Sequence, residues 1–541
     1  MSRPSQAAST LVAVMRSRNL RRVELAWGAS IAAEWAHFVA LGVFAYAHGG
    51  AAGVGIAGLA RMLPAAFVAP LASSLGDRFR RERFLLVVSL AGFLALAGSA
   101  AAFYSGRNTA LIYGFAGVVG VTSTLFRPAM QAILPSLART PEELIASNGA
   151  SSTIESLGTL GGPLVAGVLV SAGDPGVVFA AAAASMLAAA TLIGAVHVEG
   201  RIQPGPASTT AGELVADGFR EFARSRRARL IIFLIGAQGF VRGCLNVLIV
   251  VAVFRVLHAG SGAVGYLTAA LGAGGLIGAL GALTIEGKRL AALLGVALIF
   301  WGLPIAFFAP RPYFPAAVLL LMIVGAANSL EDVAGFTLLQ RIVPDEILSR
   351  LLGITWGLVM GAVAIGSIVA PAIVHAIGPR SAFAVVGAIL PVLILITWSQ
   401  LRSIDREFAA PTVELDLLAE VALFEPLSMV AKEHVAGKLI PVEVASDEVV
   451  IRTGEHGDRF YIVAEGELEI ANGVRETAGP GDFFGEIALL RDVPRTATVR
   501  ATTPSKLYAL ERSDFIEAVT GHPEVRAAGE TVVAERLGAE A

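Results

Sequence analysis

The chain has 541 residues, of which 55% are hydrophobic and 16% are charged. Ordinary soluble domains carry about 25% charged residues, so this composition excludes a conventional globular protein and indicates a membrane protein. Residues 1–402 contain 28 Lys and Arg against 17 Asp and Glu, whereas residues 403–541 contain 13 against 26. The resulting net charges of +11 and −13 predict two physically different regions that join near residue 403. Cys244 is the only cysteine, which excludes an intrachain disulfide and a thiolate metal site.

A series of apolar segments runs through residues 23–402. Each is about 20 residues long or longer, the length that crosses roughly 30 Å of hydrocarbon. The segments lie at 23–47, 52–75, 84–105, 109–134, 146–172, 177–197, 229–257, 262–285, 289–310, 313–340, 348–376 and 379–402. We therefore predict twelve membrane-spanning helices.

The arginines between these segments predict how the chain crosses the membrane. The four arginines at 16, 18, 21 and 22 come just before the first segment, and four more separate the second from the third, whereas the loops at 48–51, 173–176 and 258–261 are nearly uncharged. Basic loops remain in the cytoplasm. We therefore expect a multi-pass protein of the cell's inner (plasma) membrane with both termini, and the acidic C-terminal region, on the cytoplasmic side.

The membrane region, 1–402, divides into two predicted six-helix halves, 15–197 and 229–402, joined by a cytoplasmic connection at 198–228. The sequence QAILP at 131–135 returns as QRIVP at 340–344, which indicates a repeat. The connection also contains apolar residues at helical spacing, which predict an amphipathic helix on the inner membrane face. A six-plus-six repeat of this kind is typical of transporters that hold a substrate between two halves.

Residues 15–402 resemble the major facilitator superfamily. The segment Leu75–Arg81 is similar to that family's loop between the second and third helices, and the resemblance implies that Asp77, Arg78 and Arg81 latch a cytoplasmic gate. The segment Phe126–Pro135 is similar to the macrolide-efflux and siderophore-export branch of the family.

The fifth apolar segment resembles a glycine-rich signature of the family's antiporters and exporters. The residues that carry it are Gly149, Gly158, Gly162, Pro163 and Gly167. The resemblance implies an exporter. Small residues and proline also permit close helix packing and a bend without any role in transport, and this second interpretation stays open.

Ionisable side chains within the apolar segments are candidates for substrate or proton transfer, because charges are rare inside a bilayer. We single out Glu34, Arg127, Glu155, Arg242 and Asp332. Glu34, Glu155 or Asp332 is the expected protonatable carboxylate, and Arg127 its expected charge partner. The alternative is that these residues form buried pairs that only stabilise the helices.

The C-terminal region is predicted to be an α+β domain at 416–541, attached by a linker at 403–415. Short strand-like stretches alternate with turn signals, a pattern that indicates a small antiparallel β-roll or barrel. The predicted strands are 439–444, 449–452, 460–463, 467–471, 496–501 and 506–510; the predicted helices are 415–421, 428–436, 515–520 and 525–537. The predicted fold is thus an all-α polytopic membrane protein with twelve spans in two halves, followed by this domain.

One stretch of the C-terminal region, FFGEIALL followed by PRTAT, combines a carboxylate, a guanidinium and small residues that leave backbone N–H groups accessible. It resembles the binding cassette of cyclic nucleotide-binding domains. The resemblance implies that Glu486 accepts from the ribose 2′-hydroxyl and that Arg495 binds the cyclic phosphate. The remaining implied contacts are Gly485, Ile487, Ala488, Thr496 and Ala497. A degenerate copy that binds no ligand is the alternative.

Together these patterns predict a secondary active transporter, a proton-coupled exporter of small molecules, that cytoplasmic cyclic nucleotide regulates. We favour cAMP over cGMP, although Thr496 also resembles the threonine that favours guanine. The alternative is a membrane-anchored cyclic nucleotide receptor with vestigial transport. We expect no enzymatic activity, cofactor, metal site or nucleic-acid partner; the expected partners are the nucleotide, a small-molecule substrate and the lipid bilayer.

Overall fold

The structure is a computed structural model that describes residues 17–71, 80–106, 108–137, 141–196, 225–282, 289–310, 313–343, 345–407, 412–427, 429–471, 475–520 and 525. It divides into two compact units, Met1–Asp405 and Arg406–Ala541. The predicted gate residues Asp77 and Arg78 and the helix expected in the 198–228 connection lie outside the described residues, as does nearly all of the helix predicted at 525–537.

The first unit is helical. Its helices are α1 (Arg18–Val68), α2 (Arg81–Tyr104), α3 (Thr109–Leu137), α4 (Pro141–Ala172), α5 (Pro175–Gly194), α6 (Arg226–Val251), α7 (Ala263–Ala282), α8 (Leu290–Phe307), α9 (Phe314–Ile342), α10 (Asp345–Ile377) and α11 (Pro379–Glu407). Among the described residues, eleven helices are long and apolar enough to cross a membrane.

Helix α1 contains the feature on which the count of spans depends. A continuous helix of its 51 residues would be about 77 Å long, more than twice the thickness of the hydrocarbon layer. Gly50 interrupts it, with φ 56° and ψ −146°, a conformation that side chains with a Cβ rarely adopt. The two parts match the first two predicted segments. The predicted total of twelve spans stays a prediction.

Local sequence explains several helix boundaries. Asp174 precedes α5 and accepts a hydrogen bond from the Val177 amide at 3.1 Å, and Ser225 caps α6 in the same way. Helix α11 continues to Glu407, past the predicted end at 402. The extra turn places Asp405 so that its carboxylate accepts from the Ala291 and Ala292 amides at the start of α8, both at 2.8 Å.

The two halves of the helical unit pack through small residues. Helix α1 contacts α6 and α10, and α4 contacts α7. A Cβ at Gly167 of α4 would lie 2.8 Å from the Gly262 carbonyl oxygen, and a Cβ at Gly55 of α1 would lie 2.5 Å from that of Ser367. At these crossings the backbones approach too closely for any larger residue.

The second unit is an α+β domain. Its elements are α12 (Thr412–Glu420), α13 (Met429–Ala436), β1 (Ile440–Val444), β2 (Val449–Ile451), β3 (Arg459–Glu465), β4 (Leu468–Ala471), β5 (Arg475–Ala478), β6 (Phe483–Phe484), α14 (Glu486–Arg491), β7 (Thr498–Ala501), β8 (Ser505–Glu511) and α15 (Arg512–Thr520). The strands form two antiparallel sheets with the orders β1-β8-β3-β6 and β2-β7-β4-β5.

Both faces of the first sheet carry a hydrophobic core. Phe460, on one face of β3, packs against Phe424 and Phe515 from the flanking helices. Tyr461, on the opposite face, stacks on Phe484 of β6 with ring centroids 5.2 Å apart. The stack holds β6, and with it the start of α14, against the rest of the sheet.

The predicted helical membrane region and antiparallel C-terminal domain are confirmed. Two strands, β5 and β6, were not predicted. Strand β5 lies at a sheet edge and pairs only with β4 among the described strands, and it contains Arg475, Glu476 and Thr477, so it lacks the apolar alternation that identifies a half-buried strand. Strand β6 is two residues long.

Candidate functional sites

The backbone turn between β6 and α14 forms the centre of the first candidate site. Gly485 has φ 92°, a left-handed conformation suited to glycine, and a Cβ there would lie 2.5 Å from Nη1 of Arg495. Glu486 begins α14 and is 1% exposed. The turn therefore brings a buried carboxylate and a buried guanidinium to the same place.

The Arg495 side chain is 4% exposed and is held by backbone oxygens. Its Nη1 donates to the Gly485 carbonyl at 3.0 Å, and its Nη2 donates to the Arg459 carbonyl at 2.7 Å. The exposed carboxylate of Asp458 lies 3.5 Å from Nη2. Arg495 is thus oriented in the site by neutral acceptors, and a solvent-exposed acid is its one ion-pair partner within 4 Å among the described residues.

Burial lowers the pKa of the Arg495 guanidinium, whereas Tyr461, Asp458 and Glu486 act in the opposite direction. A guanidinium still remains protonated at physiological pH. Because a buried cation needs anionic or hydrogen-bonding partners, this site is suited to an incoming anion with several acceptor oxygens.

The other predicted cassette residues lie before and after Arg495 in the sequence. Ala488 is buried in α14, and Ile487 is half-buried. Thr496 is exposed and Ala497 is half-buried, and both lie between Arg495 and strand β7. The structure therefore places the predicted residues on one turn and on the segment that enters β7.

A neighbouring turn closes one side of the site. A Cβ at Gly457 would lie 2.9 Å from Cβ of Ala488 and 3.4 Å from Cζ of Arg495. The Gly457 carbonyl accepts from Arg512 at 3.3 Å, and Arg512 also pairs with Asp492. The hydrogen bond and charge of Arg512 lower the pKa of Asp492.

In the helical unit, Glu34 of α1 forms an ion pair that the sequence analysis did not predict. Its partner is Arg61, in the second part of the same helix, at 2.7 Å. The Arg61 side chain is 6% exposed and that of Glu34 is 27% exposed. The pair joins the two parts of α1 across the interruption at Gly50.

Arg127 and Glu155 form a second ion pair, between α3 and α4. Both side chains are partly exposed, 44% and 32% respectively. Arg127 thus pairs with Glu155, one of its three predicted carboxylate partners.

Asp332 belongs to a polar network in the second half. Asn328, one turn earlier in α9, donates to its carboxylate at 2.9 Å and accepts from Gln238 at 3.1 Å and from Trp301 at 3.2 Å. Arg242 acts electrostatically on Asp332 and on the buried Glu331. The sequence candidates therefore occupy three places: the Glu34 pair, the Arg127 pair, and this network with Arg242.

The glycine-rich motif of α4 lies at helix crossings. A Cβ at Gly158 would lie 2.6 Å from Ile31, and one at Gly162 would lie 2.7 Å from the Ala32 carbonyl oxygen of α1. Gly149 is exposed, and Pro163 lies within the helix without ending it. Arg81 is the first residue of α2.

Residues 25–355 match the family model described as the Major Facilitator Superfamily, which is more than half of the chain. The chain belongs to the major facilitator superfamily. Residues 441–522 match the family model described as the cyclic nucleotide-binding domain. This superfamily member therefore carries a C-terminal cyclic nucleotide-binding domain, which contains the Gly485, Glu486 and Arg495 site.

The similar proteins fall into two groups, one that matches the membrane part and one that matches the C-terminal domain. A crystal structure of a mutant of the nucleoside transporter NupG covers 71% of this chain and 99% of its own, with a TM-score of 0.61 and 14% identity, which shows the fold of the membrane part. A cyclic nucleotide-gated potassium channel of Mesorhizobium japonicum is 37% identical over 125 residues, or 23% of this chain and 35% of the channel. A cAMP-dependent protein kinase regulatory subunit of Yarrowia lipolytica is 40% identical over 102 residues, or 18% and 27%. The chain spans about a third of the length of these curated relatives.

The sequence analysis missed several residues of these sites in both units of the protein. Arg61 is a charged residue within an apolar segment, so the same rule that selected Arg127 applies to it. Gln238, Trp301 and Asn328 are uncharged and common in helices, so their network follows only from the packing of α6, α8 and α9. The Arg459 carbonyl, as a backbone group, leaves no sequence signal.

Proposed function

We propose that this protein is a secondary active transporter, a proton-coupled exporter of small molecules, that cyclic nucleotide regulates through the C-terminal domain, with cAMP preferred over cGMP. The observation that carries the proposal is the buried Arg495, oriented by the Gly485 and Arg459 carbonyls, in a chain that belongs to a transporter superfamily. The presence of cAMP in the name of the kinase regulatory relative supports that choice of nucleotide.

In this proposal Arg495 binds the cyclic phosphate through paired charge-assisted hydrogen bonds. Glu486 accepts from the ribose 2′-hydroxyl, and the backbone from Gly485 to Ala488 supplies further N–H donors to the phosphate. Thr496 and Ala497 continue the same wall of the site toward β7.

The proposed transport site uses the ionisable residues of the helical unit. Glu34, Glu155 or Asp332 carries the coupled proton, and Arg127 and Arg242 are the predicted positive charges of the site. Twelve spans with both termini in the cytoplasm place the nucleotide site where cytoplasmic cAMP reaches it. Within the superfamily, we assign the protein to the macrolide-efflux and siderophore-export branch.

Binding is tested by calorimetric titration of the purified full-length protein in detergent with cAMP and with cGMP. We expect saturable binding of both nucleotides, with a lower Kd for cAMP. A Kd for cGMP equal to or below that for cAMP would contradict the preference, and heat changes indistinguishable from buffer with both nucleotides would contradict the binding role.

Regulation is tested separately, because a nucleotide shifts transport only if it binds one conformation more tightly than the other. Such coupling is typically about 1–3 kcal/mol, or about 5- to 150-fold. In proteoliposomes, nucleotide on the side of the C-terminal domain should change the efflux rate of a dye substrate and the accompanying proton flux. Unchanged rates at a saturating nucleotide concentration would reject regulation while leaving transport in place.

A further inference from the structure

A cavity of about 30 Å³ lies between the two halves of the helical unit. Helix α1 supplies one wall, including Phe38 and Arg61, and helices α6, α7 and α10 supply the other, including Asn246, Thr268 and Ser367. Most of the remaining lining is aliphatic. Among the described residues that line it, Arg61 is the only ionisable one, and Glu34, which pairs with it at 2.7 Å, is not part of the lining.

Arg61 retains hydrogen-bonding capacity in this cavity. Its Nη2 donates to Glu34, whereas its buried Nε has no hydrogen-bond partner among the described residues. The guanidinium lies over the Phe38 ring, with Cζ 5.4 Å from the ring centroid. A buried donor without an acceptor costs free energy, and an incoming acceptor at this point removes that cost.

The opposite wall carries the polar side chains of Asn246, Thr268 and Ser367. The Thr268 and Ser367 hydroxyls donate to carbonyl oxygens of their own helices, at 2.7 and 2.9 Å. The structure records no hydrogen bond of the Asn246 side chain to another described residue. Asn246 therefore provides an N–H donor across the cavity from Arg61.

A second guanidinium lies close to the cavity. Arg242 is half-buried, lies one turn before Asn246 on α6, and acts electrostatically on Arg61. Arg61 pairs with Glu34, and Arg242 acts electrostatically on Glu331 and Asp332; none of these three carboxyls is among the described residues that line the cavity. A cationic ligand would meet no carboxylate among the described lining residues, whereas an anionic ligand would meet N–H donors from both halves.

We propose that this cavity binds the anionic group of the transported substrate, a carboxylate, sulfonate or phosphate monoester carried on an aromatic or apolar body. Arg61 and Asn246 donate to the anionic group, which alone fills a cavity of about 30 Å³. The apolar body contacts Phe38 and the aliphatic lining once the two halves move apart. The proposal rests on the proposed transport function and specifies its substrate class. Since the donors lie on opposite halves, the anionic group bridges them.

The test measures thermal unfolding of the full-length protein in detergent with six phenyl probes. Three are anions (benzoate, benzenesulfonate and phenyl phosphate), and three are matched compounds without negative charge (benzamide, benzyl alcohol and benzylammonium). We expect at least one anion to raise the unfolding temperature in a saturable manner, and the uncharged and cationic probes to have no saturable effect.

Two variants test whether the stabilisation by anions arises from binding in the cavity. Glu34→Gln with Arg61→Gln removes the guanidinium without leaving an unpaired carboxylate, and Asn246→Ala removes the second donor. Each should raise the anion concentration for half-maximal stabilisation about tenfold or more, as expected for a lost hydrogen bond to a charged group. Arg255→Gln, which removes an arginine that donates to the Tyr46 hydroxyl at 3.2 Å, should leave it unchanged.

The proposal is overturned if none of the anions stabilises the protein, if benzylammonium or benzamide stabilises it equally, or if the anion effect persists in both cavity variants. The proposed transport function fails in a different way. In that case the anions bind as expected, whereas proteoliposomes show no efflux of any probe and no proton flux.

Discussion

The helical unit and the C-terminal domain each bury an arginine, yet they surround it with different acceptors. Arg61 donates to the carboxylate of Glu34 at 2.7 Å, so its charge is compensated within the protein. Arg495 donates to the carbonyls of Gly485 and Arg459, which carry no formal charge, and its nearest carboxylate, Asp458 at 3.5 Å, is exposed to solvent. An arginine held by carbonyls stays ready for an anionic ligand, whereas an arginine held by a carboxylate mainly stabilises its surroundings until a competing anion arrives.

The largest expected effect of this difference is on nucleotide binding. Arg495→Ala should weaken cAMP binding by about 100-fold or more, because the phosphate loses two charge-assisted hydrogen bonds. Arg495→Lys should have an intermediate affinity, since the ammonium keeps the charge but not the forked geometry. Calorimetry on the full-length protein measures both.

The matched control for this prediction is Arg500→Ala, which removes an exposed arginine from β7. Equal losses of affinity in the Arg495 and Arg500 variants would indicate a general electrostatic effect and would remove the special role of Arg495. Unchanged binding in Arg495→Ala would refute the site.

The contiguous part of the nucleotide site could be predicted from the sequence, and the rest could not. Gly485 and Glu486 adjoin in the chain, and Arg495 follows at a fixed spacing, so a family pattern contains them. The acceptors that orient Arg495 are backbone groups, and Arg459 belongs to another strand. Their positions depend on how β3 pairs with β6, which local sequence does not encode.

The same division holds for the helical unit. Hydropathy located the apolar segments because each must be long enough to cross the hydrocarbon layer. It did not predict that Glu34 pairs with Arg61, because that contact depends on the angle between the two parts of α1. Nor did it predict the extension of α11 to Glu407, which follows from a contact between Asp405 and the start of α8.

A smaller effect is expected when the compensated arginine is removed. Arg61→Gln should destabilise the protein by about 1–3 kcal/mol, because it leaves the Glu34 carboxylate, which is 27% exposed, without its partner. The double variant with Glu34→Gln should recover most of the loss. Equilibrium unfolding in mixed detergent measures the free energy of unfolding of each variant.

The ion pair between Arg127 and Glu155 serves as the comparison. Both of its side chains are more exposed than those of the Arg61 pair, so Arg127→Gln should cost no more than about 1 kcal/mol. Equal losses in Arg61→Gln and Arg127→Gln would show that burial does not distinguish the two pairs.

A further prediction concerns the precision with which Arg495 is held. A methyl group in Gly457→Ala would meet Ala488 at 2.9 Å and the guanidinium carbon at 3.4 Å, so the guanidinium or α14 must shift. We expect about tenfold weaker cAMP binding, in line with the usual cost of overpacking a well-packed site. Gly479→Ala is the control, because a Cβ there has no atom within 4 Å; weaker binding in both variants would point to a general loss of the fold.

The smallest expected effect concerns the ion pair at the edge of the same site. Arg512 lowers the pKa of Asp492 below its usual value of 3.8, so the pair stabilises the folded domain above that pH, and the stabilisation is lost as the pH falls through the lower pKa of the folded state. Asp492→Asn should therefore unfold slightly more easily than the unmodified protein at neutral pH, with a difference that disappears as the pH falls below the lowered pKa of the folded state. Asparagine is a suitable replacement because it tolerates the left-handed backbone of residue 492, at φ 54°.

Denaturant unfolding at a series of pH values measures the difference. The control is Asp447→Asn, at another exposed left-handed position (φ 69°). A difference that does not change with pH would mean that the Arg512 contact acts through its geometry and not through the charge of Asp492.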